Sequence, residues 1–219
     1  GTAGSITGAK GNGAANNAGA TNFGQSGLAS DTPYRVYIVA EDEASPTKNV
    51  GAREQLDFTT LDGTPPTAVV SVDTLTTTGG SLKVTPDEGG TAHYAVLLRS
   101  AAAPTASAVR AGTAGSIAGA KGSGAVTAST QKAFALSGLT EKTQYTVYVV
   151  PVDDATPTAN EGNLIVHNFE TLDQTSPTLT WSVSGITTNG ANLPVTLSEA
   201  GKVYWAVMLR TDAAPSIAA

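Results

Sequence analysis

The sequence contains no cysteine, which excludes disulfides, thiol nucleophiles and thiolate metal sites. Histidine occurs only twice, at His93 and His167. Charged residues make up 14% of the chain, against about 25% in ordinary globular proteins. The 12 basic and 18 acidic residues leave a net charge of −6, so nucleic acid and anionic membrane surfaces repel the chain and neither is an expected partner. Aromatic residues are 5% of the total. No apolar run approaches the roughly 18 residues of a membrane span. The longest runs, Ala92–Leu98 and Tyr145–Val152, are strand-sized. Residue 1 is Gly and no basic-then-apolar leader follows it, which reads as a processed chain or a window on a longer one.

In place of these features the sequence has small residues and a repeat. Gly1-Thr-Ala-Gly-Ser-Ile6 recurs as Gly112-Thr-Ala-Gly-Ser-Ile117, an offset of 111. The same offset carries Leu28 to Leu139, Tyr34 to Tyr145, Phe58 to Phe169, and Thr60-Leu61-Asp62 to Thr171-Leu172-Asp173. Leu98-Arg99 maps to Leu209-Arg210, and Ala102-Ala103-Pro104 to Ala213-Ala214-Pro215. No gap is needed, and about half the aligned positions are identical. A gapless period of this kind marks repeated structural units.

The local pattern is β. Residues 34–39 and 145–150 are β-branched and aromatic and are bounded by turn residues. Residues 67–73, 81–85, 92–99, 132–136 and 164–171 read as further strands, with copies at 178–184, 192–197 and 202–210. Residues 103–111 read as a short helix after Pro104. The Gly- and Ala-rich run 112–124 reads as a surface loop. About seven short strands per period fit a β-sandwich.

Leu139-x5-Tyr145, within Ser137-Gly-Leu-Thr-Glu-Lys-Thr-Gln-Tyr-Thr-Val-Tyr-Val149, and its copy Leu28-x5-Tyr34 resemble the E–F corner of bacterial fibronectin type III-like modules. Residues 168–173 followed by Pro177, and 57–62 followed by Pro65-Pro66, resemble that family's last strand running into a Pro-bearing linker. The resemblance implies an all-β chain of tandem Ig-like, fibronectin type III-like sandwiches with a 111-residue repeat. It implies a structural tyrosine corner at Leu28 and Tyr34 and again at Leu139 and Tyr145. It divides the chain into the second half of a module (1–63), a complete module (64–173) and the first half of a further module (174–219). Neither half can bury a sandwich core alone. Either the chain is an excerpt of a long array, or its halves are completed by neighbouring subunits.

Chemistry is sparse. His93 maps to Tyr204 and His167 to Leu56, so neither histidine belongs to a site shared by the copies. No Ser/His/Asp arrangement is present, Lys121 sits in a Gly-rich run that lacks the phosphate-loop pattern, and no enzyme activity is expected. Acidic residues do recur: Asp42 with Asp153, Asp62 with Asp173, Glu88 with Glu199, and Glu43 with Asp154. Asp42, Asp62, Asp153 and Asp173 are candidate ligands for Ca²⁺ at module junctions, against the plainer reading of turn-forming aspartates. No other cofactor is expected. Arg99 and Arg210 read as charges that blunt a sheet edge. Tyr204 or Trp205 is a candidate glycan-stacking surface, with core packing as the alternative.

The function expected is that of a structural repeat, a mechanical spacer in an extracellular fibre or adhesin stalk at a bacterial cell surface. Its partners would be adjacent modules or identical subunits. Host or environmental glycans and proteins would be engaged through a domain outside this sequence. Two alternatives stand beside it: a self-assembling filament subunit whose half-modules are completed by neighbouring chains, and a glycan-binding accessory module of a polysaccharide-active enzyme.

Overall fold

The computed structural model describes residues 10–115 and 117–216. The first Gly-Thr-Ala-Gly-Ser-Ile copy, at 1–6, and Ser116 of the second lie outside the described residues. The chain is nearly all-β, and its named strands pair in antiparallel ladders. Its contacts divide it into two units, one up to Leu172 and one from Asp173 onward.

In the first unit, β1 (Pro33–Ile38) and β2 (Glu54–Thr59) form a two-stranded sheet. There follow β3 (Ala68–Asp73), β4 (Gly80–Pro86), β5 (Gly90–Leu98), α1 (Ala106–Arg110), β6 (Lys121–Val126), β7 (Lys132–Leu136), β8 (Gln144–Asp153) and β9 (Ile165–Glu170). One sheet runs β3-β4-β7 and the other β6-β5-β8-β9. Leu82 and Val84 of β4 and Leu136 of β7 share one buried cluster with Val96 of β5 and with Val147 and Val149 of β8. Alternate strand residues point to one face, so this cluster is the common interior of the two sheets. Each fully buried Val or Leu there contributes about 1.5–3 kcal/mol.

The outer face of β8 is covered as well. Tyr148 and Val150 pack in a second cluster with Ala95, Val109 and Ala114. Val109 comes from α1, which begins where the Thr105 hydroxyl accepts the Ala108 N–H and thereby caps the helix. Both faces of β8 are therefore apolar, and it reads as a continuous hydrophobic run rather than an alternating one.

The pairing fixes the path of the chain. Ala68 lies opposite Pro86 and Gly90 opposite Asp153, so β3 begins at that end of the sheets. Leu98 lies opposite Tyr145 and Gln144 opposite Glu170, so β9 finishes at the other end. The chain enters residues 64–172 at one end and leaves at the other.

In the second unit, β10 (Leu179–Trp181) pairs with β11 (Val195–Leu197), Leu179 opposite Leu197. That is the β3–β4 register, Ala68 opposite Pro86, carried forward by 111. The β1–β2 register, Tyr34 opposite Phe58, is likewise that of β8–β9, Tyr145 opposite Phe169. The ring pairs match too, with centroids 5.8 Å apart in both. Asp31 and Lys142, one period apart, both hold positive φ.

Two expectations are corrected. The run 112–124 is not all loop, because its last part lies in β6, paired with β5. Its glycines face aromatic rings: a Cβ at Gly122 would lie 3.1 Å from the Tyr94 hydroxyl, and one at Gly124 would lie 2.8 Å from the Phe134 ring. Residues 202–210 are not a strand. Their counterpart β5 is bonded on both sides, by β6 and β8, and residues 202–210 have neither ladder.

Matched positions differ sharply in exposure. Val147 and Val149 are fully buried, whereas Val36 and Ile38 are 40% and 57% exposed. Val84 is fully buried and its counterpart Val195 is 40% exposed; Tyr94 is 8% exposed and Trp205 is 74% exposed.

Candidate functional site

The only group of three clustered acidic or histidine side chains among the described residues is formed by Asp62, Glu88 and Asp153, one carboxylate oxygen of each lying within 4.8 Å of the others. Three segments deliver them. Asp62 precedes Pro65-Pro66, Glu88 sits in the turn between β4 and β5, and Asp153 ends β8.

Asp153 is buried, and its carboxylate is engaged by its own loop. Its Oδ1 accepts the N–H groups of Asn160 at 2.7 Å and Ala155 at 3.1 Å, and its Oδ2 accepts the Asn160 side-chain amide at 2.8 Å. Burial pushes this carboxyl up, and the Asn160 and Ala155 donors outweigh it and hold the group below the usual carboxylate range. The Asn160 amide also reaches the Asp62 backbone carbonyl at 3.4 Å. The Asp62 carboxylate accepts the Thr64 N–H at 2.9 Å, a short-range aspartate turn. Glu88 is pushed the other way: partial burial raises its carboxyl, and the nearby charges of Asp62, Asp87, Asp153 and Asp31 raise it further.

One oxygen from each of the three carboxylates gives three of the six to eight hard oxygen ligands that Ca²⁺ takes. The structure thus brings Asp62 and Asp153 together and adds Glu88. Asp42, the counterpart of Asp153, and Asp173, the counterpart of Asp62, are not members of this group. Asp42 nevertheless forms the same loop. Its carboxylate accepts the N–H groups of Ala44 and Asn49 and the Asn49 amide, and these donors, the amide foremost, lower its pKa. The recurrence of this aspartate follows from the loop it closes.

The tyrosine pairs are placed as follows. The Tyr145 hydroxyl accepts the Thr140 N–H at 2.9 Å, and Leu139 is buried beside it in the core. The Tyr34 hydroxyl accepts the Ala29 N–H at 2.8 Å, with Leu28 half-buried.

The remaining candidates separate by environment. Tyr94 packs on Phe134 in the core, centroids 5.1 Å apart, whereas its counterpart Trp205 is exposed. Lys121 donates to the carbonyls of Gly112 and Gly115, tying its own loop. His93 is half-buried, and its pKa is lowered by burial and by Arg110, which pairs with Glu161 at 2.9 Å. His167 lies opposite Val147 on β9. Arg99 follows β5, its N–H bonded to the Gln144 carbonyl, and Arg210 is exposed.

The composition hid two things. Glu88 was visible as a recurring acid, but its place beside Asp62 and Asp153 depends on long-range pairing of β5 with β8. Asn160 carried no signal of its own, although its counterpart Asn49 recurs with Asp42. No protein-family model matches the chain, and no curated protein matches it. No helix among the described residues is long and apolar enough to cross a membrane.

Proposed function

We propose that the chain is a structural repeat of an extracellular bacterial fibre or adhesin stalk, built from tandem fibronectin type III-like sandwiches that act as spacers. The observation that carries this reading is the path of the chain through residues 64–172: entry at one end of the two sheets, exit at the other. Units joined in that way add length, and tension on the chain loads the ladders before it reaches the core. The sequence period, the matching registers one period apart and the order β3-β4-β7 facing β6-β5-β8-β9 support the same reading. Few charges and many small residues suit lateral packing of such units.

Pulling the full chain from its two ends tests it. One dominant rupture is expected, releasing roughly 350 Å, the length of about 105 residues extended at about 3.4 Å each. Gradual extension without a rupture overturns the reading.

A further inference from the structure

We propose that α1 is an acid-released flap: protonation of His93, on the sheet face that the helix covers, frees α1 from β5 and β8 while the sandwich core stays folded. The device lies wholly within residues 64–172.

His93 stands two residues before Ala95 on β5 and so points to the same face. It lies opposite Val150 of β8 and Ser123 of β6. Ala95 and Val150 are buried on that face against Val109 of α1. Two charges act on His93: Arg110, in the last turn of α1, and Glu161, which follows β8. They are bonded to each other at 2.9 Å. The same face carries Lys121 of β6, whose ammonium donates to the carbonyls of Gly112 and Gly115, and Tyr148 of β8, buried in the apolar cluster. The one carboxylate of this set already holds Arg110. The repeat does not call for the set, because the counterpart of His93 is Tyr204 and that of Glu161 is Val50.

An imidazolium at this place loses water and meets the Arg110 charge. Burial foremost, and then Arg110, hold the imidazole below its ordinary 6.5, and Glu161 offsets only part of this. The closed state therefore binds the proton less well than an opened one. Closure is fully kept above pH 6.5 and weakens as pH falls from 6.5 through the lowered value. The helix yields before the sheet does. β5 is laddered on both sides, whereas α1 has five residues, too few to stand alone, and Val109 is its buried anchor. Lifting α1 brings water to His93, carries Arg110 away and uncovers the apolar surface of Tyr148 and Val150.

Nuclear magnetic resonance of the full chain from about pH 8 to about pH 5 is the experiment. It reads the His93 pKa from its ring protons, and the protection of single amides corrected for their intrinsic exchange rates. The Val109 and Ala111 amides, bonded to Thr105 and Ser107, report on α1, and those of Val147 and Val149 report on the core. Protection of α1 is expected to fall in acid by about tenfold for each unit by which the measured His93 pKa lies below 6.5, with core protection unchanged. His93→Gln and His93→Tyr, the latter placing the counterpart residue, are expected to flatten the α1 profile. Arg110→Gln is expected to raise the His93 pKa, and His167→Gln to leave the profile as it is. Protection of α1 that does not change with pH overturns the flap, as does a fall that persists in both His93 variants. A fall shared equally by core and helix overturns it too, because the whole module then opens together.

Discussion

The Tyr145 hydroxyl stands at the end of a buried ring and accepts the Thr140 N–H, so a single side chain serves both the core and a backbone donor at the turn before β8. Tyr145→Phe keeps the ring and loses that bond. The expected cost is about 1 kcal/mol in a denaturant titration, and Tyr34→Phe, in its exposed setting, is expected to cost less. Glu88 carries the opposite sign. Its raised pKa means that the folded state favours the protonated carboxyl, so stability falls as pH rises past the ordinary 4.5. Glu88→Gln is therefore expected to raise the melting temperature at neutral pH, by a few degrees at most for a group only partly buried. The gain should vanish below pH 4.5. A gain that persists in acid would show that charge is not the cause. The Tyr145 bond joins residues only five apart in the chain. The Asp62–Glu88–Asp153 cluster was legible only in part, because its members are contributed by segments far apart in the chain.

At the scale of elements, local pattern succeeded where residues face a core and failed where a neighbour's shape decides. β8 announces itself by its β-branched run, and α1 by its start after Pro104. β6 does not, because Gly122 and Gly124 are there to leave room for Tyr94 and Phe134, and glycine by itself reads as a break. Gly124→Ala places a Cβ 2.8 Å from the Phe134 ring and is expected to cost about 1–3 kcal/mol through overpacking, measured by thermal melting. An unchanged melting temperature would mean that Phe134 moves aside freely. Residues 202–210 teach the complementary lesson. Their sequence is as strand-like as that of β5, but a central strand exists only when both flanking ladders do.

For the whole molecule, the calcium question reduces to whether the acidic cluster needs an ion to hold its shape. Asn160 and Ala155 already satisfy the Asp153 carboxylate, and Asp42 keeps the same loop away from any such cluster. The expected melting temperature is therefore the same in calcium and in chelator, and a calcium-dependent rise would instead assign Asp62, Glu88 and Asp153 as a ligand set. The enclosure of β8 has a different consequence. It is flanked by β5 and β9 and covered on one side by the opposing sheet and on the other by α1. Water reaches its amides only when the surrounding structure comes apart as a whole. After transfer to heavy water, protons on Val147 and Val149 should be among the last to exchange, and the half-time of their loss is a clock for the lifetime of the entire fold.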